Sequence, residues 1–316
     1  MLSDYKNMLW QYVSSCHKSQ QAEASGYLYH YTSMGGLIGI ASSNKLWATA
    51  SNFLNDHGEI KYGLDLIKSV INQNRNQSFK CELFHALLNK LEAHVVQIEN
   101  NEADIYDFIL CFSENRDTLS QWKGFSDQGN GVAIGFDFRD ICFYRCSLAR
   151  MQLRLRKVIY AIEEQEQIIN NEIEHFYGLL KAEWDSEDYE SVVEETADVL
   201  TGCLYNYALI FKDPAFSEEK EWRITSNDTS TYKPHDPSAP ELKFRVDFSG
   251  NLVPYLELDF MPEDDFPSRE YDQLPVKEII VGPKLDFNLN KLSINRLNKL
   301  AGWKEVEISS SSIPLR

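Results

Sequence analysis

Long apolar runs and paired cysteines are missing from this chain of 316 residues. No stretch approaches the ~20 consecutive apolar residues that a membrane-spanning helix needs. The first 26 residues are too polar for a secretory signal peptide. The six cysteines contain no CxxC pair, which is typical of reduced thiols. These absences predict a cytoplasmic protein with no membrane segment.

The motifs of several large enzyme classes are missing as well. The chain has no P-loop, no GxGxxG fingerprint, no kinase signature and no GxSxG nucleophile motif. Potential metal ligands occur at Asp56, His57 and Glu59, and at Cys142 and Cys146, but neither set has a matching second half. We therefore predict no metal site.

Positive charge is scarce, and the formal net charge is −17. Such a chain repels phosphate backbones unless a local basic stripe overcomes the repulsion. The richest basic stretch, residues 145–157, is interpreted as a solvated or salt-bridged surface, with an anion-facing patch as the alternative. Much of the negative charge lies in two long predicted helices, where a solvated face is favoured over a partner-binding arm.

The composition is that of a globular protein, with 43% hydrophobic and 12% aromatic residues. Strand patterns at both ends of the chain flank a helical middle, and we find no internal repeat and no low-complexity linker. We predict an α+β fold in one domain, residues 1–316, with a mixed or antiparallel sheet. The helices of residues 163–211 are predicted to be an insertion in this domain.

Three short blocks place polar groups among aromatic and β-branched residues. They are LYHYT at residues 28–32, ILCFSE at residues 109–114 and FSEEKEWRI at residues 216–224. A strand in each block would hold a His, a Ser or a Glu at an apolar wall. We expect the three strands to lie in one sheet system, because three separated blocks of this kind are hard to explain unless they line one common surface.

The first block contains His30 between two tyrosines. Strand alternation places His30 and Thr32 on one face and the tyrosines on the other. A lone His in an apolar strand is commonly a hydrogen-bonded core residue. The alternative is a binding residue, because a glycine-containing helix start follows whose free N–H groups could bind an anion or a carbonyl.

The second block ends in Ser113, at a strand end where site residues often lie. The alternative is that Ser113 caps a turn. The polar connection that follows contains Trp122 and Phe125, which would form either an aromatic wall or part of the core.

The third block contains Glu221 and Arg223, which alternation places on the same strand face. A carboxylate beside an arginine stays ionised at neutral pH, which suits stabilisation of positive charge rather than proton donation. A purely structural Glu–Arg pair is the alternative.

Six sequence blocks run in order over nearly the whole chain and resemble a largely bacterial family of unknown function, domain-of-unknown-function family 2971. They are LYHYTS, LWATASNFLND, CFSEN with Trp122 and GVAIGFD, FKDPAFSEEKEWRI, EIIVGP and SSSSIPLR. This resemblance implies no particular activity.

A second resemblance is to the ADP-ribosyltransferase superfamily. Members that act on DNA or RNA open with a strand carrying His followed by Thr or Ser, then a helix and a strand, as His30, Thr32 and LIGIASSNKLW do here. In that superfamily the first-strand His contacts a ribose hydroxyl of NAD, a middle strand offers Ser or Tyr near the nicotinamide, and a late strand offers Glu. The resemblance implies that His30, Ser113 and Glu221 take these places in a split sheet.

An NAD-consuming transferase or glycohydrolase is the function that this second resemblance implies, in a setting such as bacterial conflict or phage defence. Glu221 and His30 are then the catalytic residues, and the acceptor is a nucleic acid, a protein or water. The residues expected to bind NAD are His30, Tyr31, Thr32, Ser113, Trp122 and Arg223. Tyr31 or Trp122 would stack on the nicotinamide.

Two other functions remain open at the level of sequence. One is a nucleotide- or ligand-sensing module that binds in the same cleft without turnover. The other is a protein–protein effector that uses its acidic helices.

Overall fold

Helices and strands are mixed along the chain, which confirms the predicted α+β class. The computed structural model describes residues 5–9, 11–12, 26–54, 58–76, 81–100, 107–138, 141, 144–145, 154–182, 189–226, 242–247, 250–258, 261–262 and 273–315. The chain divides into two compact units, each built from three separate chain segments.

The strands and helices have the following bounds. The strands are β1 (Tyr27–Ser33), β2 (Leu46–Ala50), β3 (Phe108–Ser113), β4 (Gly131–Asp137), β5 (Tyr144–Arg145), β6 (Arg154–Lys157), β7 (Glu221–Ser226), β8 (Lys243–Val246), β9 (Leu252–Leu258), β10 (Met261–Pro262), β11 (Val276–Val281) and β12 (Glu307–Ser310). The helices are α1 (Met34–Ser43), α2 (Glu59–Arg75), α3 (Glu82–Asn100), α4 (Leu119–Phe125), α5 (Ile162–Ala182), α6 (Tyr189–Ala208) and α7 (Phe287–Ala301). Residues 5–9 and 11–12 are also helical.

One unit is built on a sheet and comprises residues 23–55, 107–157 and 218–316. Ten of the described strands form this sheet, in the order β12-β11-β4-β1-β3-β2-β9-β8, with β7 paired to β3 and β6 paired to β7. Neighbouring strands are antiparallel except β11 and β12, which are parallel. The predicted mixed or antiparallel sheet is therefore confirmed, and β5 and β10 form a separate pair.

The main hydrophobic core of this unit lies on one face of the sheet. Alternate residues of the central strands point into it, among them Leu28, Leu110, Phe112, Ile134 and Trp222, and helices α1 and α7 contribute Leu37, Ile40, Ala41 and Ile294. All of these side chains are buried. Their period of two along the strands explains why the strand segments are recognisable in the sequence.

The opposite face of the sheet carries a smaller apolar cluster and most of the buried polar groups. The cluster contains Tyr29, Tyr31, Trp122, Ala133 and Ile280. Elsewhere on this face lie buried polar residues, which include Thr49, Ser113, Glu221, Arg223 and Glu278. We call it the polar face.

Helix α1 starts directly at the end of β1. Ser33 is its N-cap, and the Ser33 Oγ accepts a hydrogen bond from the Gly36 N–H at 3.0 Å. Gly36 also lets the helix approach the strand closely, because a Cβ at this position would lie 2.0 Å from the Thr32 Oγ1. The close connection fixes where β1 ends.

The other unit is helical and comprises residues 1–22, 56–106 and 158–217. Helices α2, α3, α5 and α6 pack together in it. Their buried faces include Leu64, Ile67, Leu87, Leu91 and Leu200. The predicted insertion, residues 163–211, corresponds to α5 and α6, and the same unit also contains α2 and α3. The prediction of a single domain stays a prediction.

Helix lengths and hydropathy bear on membrane insertion. In the described part of the chain, no helix combines the length and the apolar character that crossing a membrane requires.

Candidate functional site

The three sequence blocks lie on neighbouring strands of the sheet unit. β3 pairs with β7 along its length, which sets Ser113 directly opposite Glu221. On its other edge β3 pairs with β1 through Tyr29 and Ser113. The strands that carry His30, Ser113 and Glu221 are therefore adjacent, in the order β1-β3-β7, as expected for blocks that share one sheet.

Glu221 and Arg223 form a buried, two-point ion pair. The Arg223 Nε donates to the Glu221 Oε1 and the Arg223 Nη2 donates to the Glu221 Oε2, both at 2.9 Å. The Glu221 side chain is 8% exposed and that of Arg223 is 2% exposed. This arrangement fixes the carboxylate in one orientation and is the Glu–Arg pair that strand alternation indicated.

Ser113 is engaged with the backbone that leads into β7. Its hydroxyl donates to the Glu219 carbonyl at 2.6 Å and accepts from the Asn115 N–H at 3.0 Å. The Asn115 Nδ2 donates to the Glu218 carbonyl at 2.6 Å. Ser113 therefore holds a turn in place, which was the alternative to a ligand contact, and only one oxygen lone pair remains for another partner.

Glu114, which directly follows β3, also contacts the third block on β7. It accepts hydrogen bonds from the Lys157 Nζ at 2.8 Å and from the Trp222 Nε1 at 2.9 Å. Burial by itself would raise the pKa of Glu114, but these two donors hold that pKa below its ordinary value. The sequence analysis did not single out Glu114.

The sheet is split beside β3. Along one edge of β3, β1 pairs at Ser113 whereas β2 pairs at Ile109 and Phe108. Between these contacts, at Cys111, neither β1 nor β2 is paired with β3 in the described residues. We call this gap the split.

The ring of His30 lies at the split. Its Nδ1 is 2.9 Å from the Cys111 carbonyl oxygen, so the ring takes a hydrogen bond that a neighbouring strand would normally supply. Burial lowers the pKa of His30, and the nearby charge of Arg245 lowers it further, although the bond to Cys111 raises it. The imidazole is therefore neutral at pH 7. Because a carbonyl oxygen only accepts, Nδ1 carries the proton and Nε2 presents a lone pair.

Strand register places Tyr29, not His30, on the face of Ser113 and Glu221. The pairs Tyr29–Ser113 and Ser113–Glu221 put these three residues in one row on the polar face. His30 alternates to the opposite face, where its ring meets the ring edge of Phe112 at a centroid distance of 6.0 Å. The structure thus brings Ser113 and Glu221 together directly, and it brings His30 only to the neighbouring strand.

Tyr29 is held by an acidic group further along the row. Its hydroxyl donates to Glu278 at 3.2 Å, and the same carboxylate accepts from Arg116 and from the Ser309 hydroxyl. Burial, together with the charge of Glu278, raises the pKa of Tyr29. The phenol therefore acts as a neutral hydrogen-bond donor.

Tyr31 and Trp122 lie in the packed part of the polar face. Their rings meet edge to face at a centroid distance of 5.0 Å. Trp122 is 0% exposed and its Nε1 donates to Asp117 at 2.6 Å, whereas the Tyr31 hydroxyl donates to the Asn115 carbonyl at 2.8 Å. A fully buried indole has no free ring face, so the expectation that Trp122 stacks on nicotinamide is not supported.

Thr32, also predicted to bind NAD, lies against the first turn of α1. The closeness of its side chain to Gly36 places it between the strand and the helix. It therefore fixes the strand-to-helix connection in this structure.

A second group of side chains lies beyond the split on the polar face. It consists of Trp47, Thr49, Arg245 and Tyr255, from strands β2, β8 and β9. The sequence analysis did not identify it. Alternation in KFRV predicts that Lys243 and Arg245 share a face, but the sequence does not reveal which strands are neighbours.

Metal ligands do not cluster in the part of the chain that the structure describes. No group of three or more His, Cys, Asp or Glu residues is placed to hold an ion there. Residues 55–57 and 142–143, which contain Asp56, His57 and Cys142, lie outside the described residues, as does Cys146.

Comparison with known proteins gives one match. The model of a family described as a protein of unknown function, DUF2971, matches residues 121–224. These residues include α4, β4, the two long helices α5 and α6, and the start of β7 with Glu221 and Arg223. No curated protein and no solved structure matches the chain. The predicted resemblance to this family is confirmed over residues 121–224, the part of the chain that matches the family model.

Proposed function

We propose that the sheet unit binds NAD at the split and cleaves its nicotinamide–ribose bond, with transfer of ADP-ribose to an acceptor or to water. The observation that carries the proposal is the adjacency of β1, β3 and β7, which sets Ser113 beside Glu221 and His30 at the split on the next strand. A gap between strands opens onto both sheet faces. We infer that a ligand at the split contacts His30 directly and reaches Glu221 across the end of β3, where Ser113 lies.

Glu221 supplies the electrostatic part of this chemistry. When the C1′–N bond breaks, its electron pair goes to the nicotinamide nitrogen, and positive charge develops on the ribose. A carboxylate held by two hydrogen bonds from Arg223 needs no reorganisation to face that charge. An acceptor oxygen then bonds to C1′ and loses its proton.

His30 supplies a binding contact rather than a charge. Its neutral ring keeps Nδ1–H on the Cys111 carbonyl, which leaves Nε2 as an acceptor. An acceptor of this kind suits a ribose hydroxyl, which donates a hydrogen bond. His30 therefore orients the ribose while Glu221 faces C1′.

A second function, nucleotide binding without turnover, is favoured by two observations. The Glu221 carboxylate is buried and already paired with Arg223. The Ser113 hydroxyl is already bonded to Glu219 and Asn115. Neither group needs a ligand to satisfy its hydrogen bonds, so the same cleft would act as a sensor if substrate does not displace these contacts.

Incubation of the purified protein with NAD distinguishes the two functions. Free nicotinamide is measured by mass spectrometry, and binding of NAD is measured separately by calorimetry. Nicotinamide release above the no-protein control supports cleavage. Saturable binding without release supports the sensing module. The absence of both results overturns the assignment of NAD to this split.

A further inference from the structure

Arg245 lies beyond the split with aromatic rings around it. Its guanidinium carbon is 5.6 Å from the centroid of the Trp47 ring and 5.7 Å from that of the Tyr255 ring. The two rings lie 4.8 Å apart. The Arg245 Nη2 donates to the Thr49 Oγ1 at 2.7 Å. Three strands thus hold one guanidinium in a defined position.

This guanidinium has no anionic partner in the described part of the chain. Its hydrogen bond to Thr49 uses one of five N–H donors, and no ion pair forms. Lys243, two residues earlier on the same strand face, is paired with Glu257 at 2.8 Å. Arg223 and Arg116, two further arginines at the polar face, are paired with carboxylates. Arg245 is the exception among these cations.

The surroundings of Arg245 make the missing partner significant. Burial lowers the pKa of Arg245, while Tyr255 and Asp247 raise it. The Asp247 oxygens accept hydrogen bonds from the Asn251 N–H at 2.8 Å and from the Asn251 Nδ2 at 2.9 Å. Asp247 acts on Arg245 through its charge, and an incoming anion that pairs directly with this half-buried cation would offset part of the cost of its burial.

A second donor beside Arg245 also lacks a partner. The Trp47 Nε1 is buried and makes no hydrogen bond in the described part of the chain. The indole ring itself is only partly buried. The group therefore offers a cation, an unused N–H and the partly exposed Trp47 ring, the combination that suits a phosphate attached to a planar base.

The spacing along β3 relates this group to the split. Thr49 pairs with Ile109, and Ser113 lies four residues further along the same strand. Four residues of strand span ~13 Å. A dinucleotide has two phosphates and two riboses between its bases, so it is long enough to bridge the two positions.

We propose that Arg245, with Trp47 and Tyr255, forms the phosphate-binding subsite for the nucleotide ligand of this cleft. This inference rests on the proposed binding of NAD and names the part of the protein that would hold its phosphates. The guanidinium pairs with phosphate oxygens through its unused N–H groups, and an aromatic ring stacks on the attached base.

The test measures binding without requiring turnover. Parent protein is titrated with ADP, inorganic pyrophosphate and adenosine, and calorimetry or tryptophan fluorescence gives the dissociation constants. The same titrations are made on Arg245→Met, which keeps an apolar stem between the rings, and on Lys243→Met as the matched control from the same face. Arg245→Lys keeps the charge but loses the planar fork. Melting temperature and circular dichroism verify folding.

We expect Arg245→Met to weaken binding of ADP and pyrophosphate by at least about 10-fold, as loss of a charge-assisted bond does. Lys243→Met should stay within about 3-fold of the parent, and Arg245→Lys should fall between the two. Adenosine should bind weakly to all four proteins. Equal affinities in the parent and both Arg245 variants overturn the inference, as does failure of the parent to bind either phosphate compound.

These outcomes are separable from those of the NAD-cleavage experiment. If the parent releases no nicotinamide but Arg245→Met binds ADP and pyrophosphate more weakly than the parent does, the phosphate subsite is supported and NAD cleavage is overturned. If the parent cleaves NAD but Arg245→Met binds ADP with the affinity of the parent, NAD cleavage is supported and the phosphate subsite is overturned.

Discussion

At the scale of single residues, the bond between His30 and the Cys111 carbonyl determines which nitrogen of the imidazole is available. A backbone carbonyl cannot donate, so it selects the tautomer with the proton on Nδ1. Burial and the charge of Arg245 then keep the ring neutral. A half-buried histidine with one acceptor nitrogen can accept a hydrogen bond from a ligand hydroxyl. A charged imidazolium has no acceptor nitrogen and could not.

Acidification should destabilise the protein partly through His30. Its pKa is lowered on folding, so the unfolded chain binds the proton more readily, and the free energy of unfolding falls as pH drops below the ordinary His value of 6.5. Above that pH the loss disappears. Urea unfolding at about pH 5.5 and about pH 7.5 measures the difference.

His30→Gln is the variant that isolates this contribution, because an amide can still donate to the Cys111 carbonyl without titrating. We expect its free energy of unfolding to fall less on acidification than that of the parent. Burial also lowers the pKa of His175, which remains in both proteins and cancels in the comparison. Parallel pH curves for the two proteins would contradict the burial and neutrality of His30.

The residue scale also shows what the sequence could not predict. Alternation correctly separated Tyr29 and Tyr31 from His30, and it correctly placed Glu221 beside Arg223. It could not predict that Tyr29 is the residue opposite Ser113, because register between strands depends on contacts that are distant in the chain. The group around Arg245 was missed for the same reason.

At the scale of elements, the start of α1 links the first strand to the split. Ser33 caps the helix, and Gly36 brings the helix backbone against Thr32. The strand therefore ends at Ser33, four residues after Tyr29, and the helix follows at once.

Gly36→Ala should disturb that connection, whereas Gly35→Ala should not. A Cβ at Gly36 would lie 2.0 Å from the Thr32 Oγ1 and 3.2 Å from its Cβ, so a rotation of Thr32 that moves Oγ1 away still leaves a tight contact between the two Cβ atoms. We expect a loss of about 1–3 kcal/mol in the free energy of unfolding.

The matched substitution at Gly35 meets only the Ser33 Oγ at 3.6 Å. Alanine is the better helix former, so we expect Gly35→Ala to be neutral or stabilising by up to about 1 kcal/mol. Chemical denaturation of both variants decides the question. Equal stability of the two would show that the helix does not approach the strand closely.

Most elements were predictable because their apolar residues recur with the correct period. The apolar runs GVAIGFD and VKEIIV predict strands over residues 131–137 and 276–281, and the structure has strands with these bounds. Helix α4 was interpreted as a polar connection, since LSQWKGF is too short for its period to be recognised. Its indole is buried against Tyr31, a contact that only the folded sheet creates.

At the scale of the whole molecule, each unit is assembled from separate parts of the chain. The helical unit takes residues from three segments, and the sheet unit takes the rest. Neither unit is a continuous stretch that could be cut out of the sequence. The sequence predicts α5 and α6 as helices, but not that they share a unit with α2 and α3, because helix partners are set by tertiary packing.

Deletion of residues 163–209, bridged by a flexible linker, should therefore unfold the helical unit. The deletion removes the packing partners of α2 and α3 and uncovers residues such as Leu64, Ile67, Leu87 and Leu91, which are at most 1% exposed. Each exposed leucine or isoleucine costs about 1.5–3 kcal/mol. We expect low solubility or strong binding of a hydrophobic dye. A soluble product with cooperative unfolding would contradict this packing.

The central claim is that Glu221 stabilises a positively charged ribose as NAD is cleaved. Glu221→Gln keeps the shape of the side chain and removes its charge, and Glu114→Gln does the same to a nearby carboxylate whose partners are Lys157 and Trp222. Because Arg223 loses its anionic partner, Glu221→Gln should also lower the melting temperature, and the assay is run well below it.

The most direct measurement is the rate of nicotinamide release from NAD by the parent, Glu221→Gln and Glu114→Gln, each verified to bind NAD. The account predicts that Glu221→Gln binds NAD but releases nicotinamide at least ~100-fold more slowly than the parent, which is about 2.7 kcal/mol of transition-state stabilisation. Glu114→Gln should stay near the parent rate. An unchanged rate in folded Glu221→Gln, or no release by the parent, would contradict the claim.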